Sequence, residues 1–187
     1  MDPLRVGDAF PDLTLESVDG TVRLSERWAV GPLVVAFMRH FGCPFCREHL
    51  ILLGRAYHQI CGAGGDAVAV FQYGPESTER FCQSRSVPFD CLGDPARDGY
   101  RSVALGRGPR KEYLSLKVLR QRKRVRAVGA RAGIPKGDVA QRPGTFVVDP
   151  GGTVVFAHYN EDSTDNAEVA DVLEAVASAA AARPQPL

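Results

Sequence analysis

No run of apolar residues in this 187-residue chain is long enough to cross a bilayer. The opening residues, Met-Asp-Pro-Leu-Arg-Val-Gly-Asp, lack the apolar core of a secretory leader, so a cytoplasmic protein with no membrane partner is expected. Neither charge sign is in excess: 23 Lys and Arg stand against 22 Asp and Glu, a net charge of +1. That balance argues against a chain given over as a whole to nucleic acid. Five cysteines, an odd number in a mid-sized chain, exclude a disulfide framework of the small secreted kind. A chain of this length buries roughly 70% of the surface its unfolded form exposes, so it needs no such staples. There is no second CxxC and no Cys/His cluster at ligand spacing, so no metal is expected. The glycine-rich stretch Gly62-Ala-Gly-Gly65 follows a helical pattern rather than a strand, so it is no dinucleotide fingerprint, and no cofactor is expected. No repeat or second domain is visible, and 1–187 reads as one domain with 183–187 as a flexible tail.

What is present is Cys43-Pro44-Phe45-Cys46, placed where an apolar run turns into a helical pattern. Pro32 to Met38 reads as a buried strand, and Arg39-His40-Phe41-Gly42 leads from it to the pair. From Cys43 to Cys61 the stripe Cys46, Leu50, Leu53, Tyr57 and Ile60 has helical spacing, ended by Gly62, Gly64 and Gly65. Unpaired N–H groups and the positive dipole end at a helix start favour thiolate over thiol, and the thiolate is the attacking species. In a reducing compartment a close CxxC reads as catalytic, redox-sensing or metal-binding.

Around this centre the elements alternate. Gly7 to Leu24 holds a hairpin about Asp19-Gly20. Ala67 to Tyr73 is a second buried strand, and a helix with Pro75 at its first position ends before Val87-Pro88. Thr145–Asp149 and Thr153–Tyr159 form a strand pair about Pro150-Gly151-Gly152. Asp165 with Glu168 resembles a capping box for a C-terminal amphipathic helix carrying Val169, Val172, Leu173 and Val176. Residues 96–141 form a helical insertion with candidates at Ala96–Leu105 and Glu112–Val128, and 11 of the 23 basic residues fall between Arg107 and Lys136. The whole is an α/β chain with a mixed sheet flanked by helices.

Five stretches in order resemble the AhpC/TSA-type, CxxC-containing, peroxiredoxin-like branch of the thioredoxin-fold superfamily. They are Val6-Gly7-Asp8-Ala9-Phe10-Pro11-Asp12, Asp19-Gly20 with Leu24-Ser25, Val34 to Cys46, Pro88-Phe89 with Asp94-Pro95, and Arg142 to Asp149. The resemblance implies a thioredoxin-like fold with an N-terminal β-hairpin. It further implies a thiol-dependent oxidoreductase, working with a thioredoxin-like protein or low-molecular-weight thiol on a small-molecule oxidant, and allows a homodimer. Relatives in this branch include endoperoxide reductases, and such folds are also recruited into biosynthetic pathways. Typical members carry Pro-x-x-x-Thr-x-x-Cys. In that register the peroxidatic position falls on Cys46, the threonine on Cys43 and the proline on Arg39, so a second thiol replaces the peroxide-orienting hydroxyl.

The expected roles follow. Cys43 is the attacking thiol, helped by Arg39, His40 and Arg47, and the more buried Cys46 resolves it; the family register gives the opposite order. Arg142 is a candidate for stabilising a thiolate or sulfenate, and His40 for shuttling a proton or tuning the thiolate. Arg39, Pro44, Phe45 and Pro143 are candidates for substrate contact, Pro143 at the place where thioredoxin-like folds put a cis-proline. Cys61 and Cys82 read as small core residues and Cys91, in a loop-like stretch, as a candidate third redox thiol. The basic stretch Arg120–Arg126 is a solvated face or a guide for anionic partners. The non-enzymatic alternative is a redox-sensing interaction module.

Overall fold

Alternation of apolar runs with turn residues builds a seven-stranded mixed sheet, in a computed structural model that describes residues 2–109 and 116–182. In chain order the elements are β1 (Thr14–Ser17), β2 (Gly20–Arg23), α1 (Leu24–Trp28), β3 (Leu33–Phe37), α2 (Pro44–Gly62), β4 (Asp66–Phe71) and α3 (Pro75–Gln83). They continue with β5 (Asp90–Gly93), α4 (Asp98–Ser102), α5 (Leu116–Ala127), β6 (Gly144–Val148), β7 (Val154–Tyr159) and α6 (Val169–Ala181). The strands lie in the order β2-β1-β5-β4-β3-β6-β7. β3 runs parallel to β4 and antiparallel to β6, which makes it the strand on which the first long helix is hung.

Every residue of β3 is buried, because both faces of the sheet are covered. Its side chains alternate between two cores. Val34 and Ala36 join the layer formed with Leu50, Leu53 and Ile60 of α2 and Val172 and Val176 of α6. Leu33, Val35 and Phe37 join the opposite layer with Leu24, Trp28, Tyr100 and Phe146. Tyr100 donates its hydroxyl proton between the carbonyls of Met38 (2.6 Å) and Val70 (2.9 Å), fixing the ends of β3 and β4 beside the CxxC loop. Tyr100→Phe is expected to cost about 1–3 kcal/mol, read as a lower urea midpoint at unchanged slope.

Two local expectations are corrected. The Asp165/Glu168 capping box does not form: Glu168 is itself the N-cap residue of α6, with no side-chain cap. Asp165 instead accepts from the Glu161 N–H (2.8 Å) within its own turn. The first insertion helix is only Asp98–Ser102, since Ala104 turns the backbone to φ 55°. The second covers Leu116–Ala127; its expected start at Glu112, like the tail 183–187, lies outside the described residues.

Candidate active site

The strand β3 delivers the chain at Phe37 into a five-residue loop, and α2 begins at Pro44 with Cys43 as its N-cap residue. Proline suits the first helical position because its missing N–H has no partner there anyway. Cys43 has extended backbone angles (φ −70°, ψ 115°), and its Sγ accepts from the Cys46 N–H at 3.4 Å. Three residues apart on one turn, Cys43 and Cys46 share a side of the helix. The Cys46 Sγ in turn accepts from the Arg39 N–H at 3.4 Å, under the end of β3.

The two thiols titrate in opposite directions. A hydrogen bond from the Cys46 thiol holds Cys43 down to about 6, against the opposing effect of burial, with help from the Arg39 charge and the Cys46 and Phe45 N–H groups. Cys46 is pushed well above the usual thiol range by donating to Cys43, by burial and by the Cys43 charge. Cys46 was expected to be the deeper of the two, yet both are buried (Cys43 1% exposed, Cys46 4%). What separates them is direction: Cys43 lines an open cavity of about 910 Å³, and Cys46 is not among its lining residues.

The floor of that cavity is Arg39, His40, Gly42, Cys43, Pro44 and Phe45, so five of the candidate site residues come together there. Arg39 and His40 are both buried, with Arg39 Nη2 3.0 Å from His40 Nε2 and the Gly42 N–H 3.2 Å from His40 Nδ1. Burial and the charges of Arg39 and Arg47 hold His40 down to about 4. At neutral pH the imidazole is therefore uncharged, with Nδ1 facing the Gly42 N–H of the loop.

The opposite wall comes from the insertion: Val125 and Arg126 at the end of α5, then Ala130–Gly133, Pro135 and Val139. The insertion is clamped to the reactive loop at several points. Arg47 Nη1 donates to the Arg131 carbonyl (2.6 Å), and the Gly133 N–H to the Gly42 carbonyl (3.0 Å). Tyr73 donates to the Lys136 carbonyl (2.7 Å), and Gln72 bonds both backbone groups of Asp138. The Asp138 carboxylate pairs with Arg97 and Arg107. Buried Glu48 of α2 receives both Nε (2.9 Å) and Nη2 (3.0 Å) of Arg124. A Cβ at Gly42 would lie 2.6 Å from the Ile134 carbonyl, so only glycine lets the two backbones approach this closely.

Other candidates fall elsewhere. Arg142 donates to the carbonyls of Asn160 (3.2 Å) and Glu161 (2.7 Å), and the cation that depresses Cys43 is Arg39. Pro143 accepts from the Asn160 N–H before β6, and no cis peptide bond occurs among the described residues, so the cis-proline expectation is corrected. Cys61 is exposed rather than in the core, because it follows Ile60 by one residue and so turns off the buried stripe. Cys82 is bonded to Cys91, and Cys91 sits in β5 rather than in a loop; this pair is a cross-link between α3 and the sheet, and neither member is a free thiol. Sequence reasoning missed the clamp residues Gln72, Tyr73 and Asp138. Gln72 and Tyr73 bond backbone groups more than sixty residues away, and Asp138 pairs with arginines more than thirty residues away, for which a single sequence gives no local signal.

A model of the AhpC/TSA family matches residues 6–157. The chain belongs to this family. It is a peroxiredoxin-like protein of thioredoxin fold with a CxxC at its first long helix. It is similar to the prostamide/prostaglandin F synthase of Salmo salar, 29% identical over 160 residues that cover 80% of this chain and 76% of that one. It is also similar to human peroxiredoxin-like 2C, 27% identical over 154 residues covering 76% and 67%. In fold it matches the crystal structure of peroxidoxin BcpB from Mycobacterium tuberculosis (TM-score 0.68, 19% identity, 97% and 99% coverage). A peroxiredoxin-like protein from Aquifex aeolicus matches with TM-score 0.70 at 15% identity, covering 96% and 90%. No described helix is long and apolar enough to cross a membrane, and no metal-binding group of His, Cys, Asp or Glu occurs among the described residues.

Proposed function

We propose that this family member is a thiol-dependent reductase of bulky organic peroxides, working through a Cys43–Cys46 dithiol–disulfide cycle. One observation carries the reading: the thiol whose ionisation is favoured is the one that lines the large cavity. The Cys43 thiolate attacks one oxygen of the peroxide, an S–O bond forms and the O–O bond breaks, and the leaving alkoxide takes up a proton. Cys46 then attacks the oxidised sulfur of Cys43. An S–S bond forms, the S–O bond breaks, the oxygen leaves as water or alcohol, and the Cys46 proton goes with it. A thiol donor, thioredoxin-like or of low molecular weight, supplies two electrons and two protons to restore the dithiol.

Arg39 holds positive charge where the thiolate and then the alkoxide carry negative charge. An endoperoxide fits the same scheme, with both oxygens kept on one substrate. The name of the salmon relative, a prostaglandin F synthase, supports a bulky oxygenated substrate. Cavity size supports the same choice, since about 910 Å³ lies in the range of sites that enclose drug-sized ligands and far exceeds hydrogen peroxide.

Steady-state turnover with a dithiol regenerating system tests the proposal. The specificity constant for cumene hydroperoxide is expected to exceed that for hydrogen peroxide by about tenfold or more, from apolar burial of the larger substituent. Equal constants, or a preference for hydrogen peroxide, would overturn the substrate class. Oxidation that stops after one equivalent with donor in excess would instead identify a redox-sensing module.

A further inference from the structure

One lining residue of the cavity comes from neither the reactive loop nor the insertion. Ser163 lies in the turn between β7 and α6, is 4% exposed, and borders the same space as Cys43. The turn is pinned on both sides of it. Arg142 holds the carbonyls of Asn160 and Glu161, and the Asp162 carboxylate takes both the N–H and the hydroxyl of Thr164 (2.7 Å each). Arg124 reaches the Thr164 carbonyl (3.3 Å), and Asn166 Nδ2 donates to the Phe45 carbonyl (2.9 Å), which ties the turn to the start of α2. Asp162, Thr164 and Asn166 thus all engage their side chains inside the protein, whereas the Ser163 hydroxyl bonds no described residue. Unlike the sealed hydroxyl of Thr78, it borders open space, and that space is the cavity. No other serine, threonine or tyrosine lines the cavity among the described residues.

Hydroxyls this deep in a protein are nearly always paired, so one left open onto a cavity calls for a bound partner. We infer that Ser163 is a catalytic residue whose O–H donates a hydrogen bond to the oxygen that leaves when Cys43 attacks a peroxide. The inference rests on the peroxide-reductase reading above and adds a residue to it. The Cys43 sulfur attacks the terminal oxygen, an S–O bond forms, the O–O bond breaks, and sulfur is oxidised by two electrons to the sulfenic acid. The second oxygen departs as an alkoxide that takes a proton from water, while the serine keeps its own. Arg39 supplies charge from the floor of the cavity, and the hydroxyl adds a directed bond from a separate element. Such a bond gains strength between the apolar walls of Phe45, Val125, Pro135 and Val139, where little else competes for the oxygen.

The test follows one round of oxidation of the reduced protein, wild type and Ser163→Ala, by cumene hydroperoxide and by perbenzoic acid. The first oxidant must expel an alkoxide; the second expels a carboxylate, which is stable at neutral pH without a donor. Ser163→Ala is expected to slow the cumene hydroperoxide reaction by about tenfold to a hundredfold, less than for a donor in a closed site, and the perbenzoic acid reaction by about threefold at most. The pH profile of Cys43 labelling by iodoacetamide is expected to stay in place, since Ser163 is not among the groups that depress that thiol. The urea midpoint is expected to be unchanged or higher, because removing the hydroxyl breaks no bond within the protein.

Equal slowing with both oxidants, a displaced labelling profile or a lower urea midpoint would make Ser163 a support for the turn or a partner of the thiolate, and overturns the inference. A variant as fast as wild type with cumene hydroperoxide overturns it too, and leaves the reductase reading standing. A wild-type Cys43 that reacts with cumene hydroperoxide no faster than a free thiol at the same pH overturns both.

Discussion

Iodoacetamide is expected to label Cys43 first, with a rate that rises through pH 6 and levels off above pH 7. The sign follows from the lowered Cys43 value of about 6: below it the thiol is protonated and inert, above it the reactive thiolate is fully formed. Cys46, pushed above the ordinary thiol range, contributes nothing over that window. Peroxide turnover is expected to follow the same rise and to fall about a thousandfold or more in Cys43→Ser, where the nucleophile is gone. Cys46→Ser is expected to give one equivalent of oxidised Cys43 and then stall, because no sulfur remains to close the bridge. Peptide mass spectrometry after labelling checks the order. Label on Cys46 at pH 7, with the deeper loss in Cys46→Ser, would restore the family register and reverse the assigned roles.

Arg124→Ala is expected to destabilise the fold by about 2–3 kcal/mol and to detach the cavity wall. The Glu48 side chain is 3% exposed, so losing its fork of two N–H bonds leaves a carboxylate out of water without a counter-charge. Arg124 is itself 46% exposed, and solvent screening keeps the cost below the roughly 3–5 kcal/mol of a pair fully removed from water. Urea unfolding measures the loss, and Glu48→Gln in the same background is expected to recover most of it by removing the stranded charge. The KM for cumene hydroperoxide is expected to rise while the pH profile of Cys43 labelling stays in place, since Arg124 is not among the groups that depress that thiol. A loss under about 0.5 kcal/mol would mean that Glu48 reaches solvent by itself and that α5 is held by other contacts.

The framework was legible in the sequence where one-dimensional rules apply. Val34, Val35 and Ala36 form an unbroken apolar run because both sheet faces are covered. The stripe Cys46, Leu50, Leu53 and Ile60 has the period of a helix lying on a core. Placement of Cys43 at the helix start followed from the same periodicity. The rest was lost wherever distant segments decide the outcome. Asp165 was captured by the turn at Glu161 rather than by the helix it precedes. Cys82 and Cys91 read as unrelated residues because α3 hides their approach, with Cα atoms 6.5 Å apart. Half of the segment 130–139 is glycine, alanine or proline and it shows no helical or strand period, yet it walls the cavity, since small residues permit the close crossing at Gly42 and Gly133.

The capping of α2 by Cys43 reaches beyond reactivity to the driving force of the cycle. A sulfur joined to its neighbour carries no negative charge, so the amide of Cys46 and the guanidinium of Arg39 lose the ion they hold in the open form. Each tenfold by which they favour that ion displaces the couple by about 30 mV towards easier reduction. In the proposed cycle the Cys43–Cys46 bridge is consequently easier to reduce than one whose open form lacks this cap.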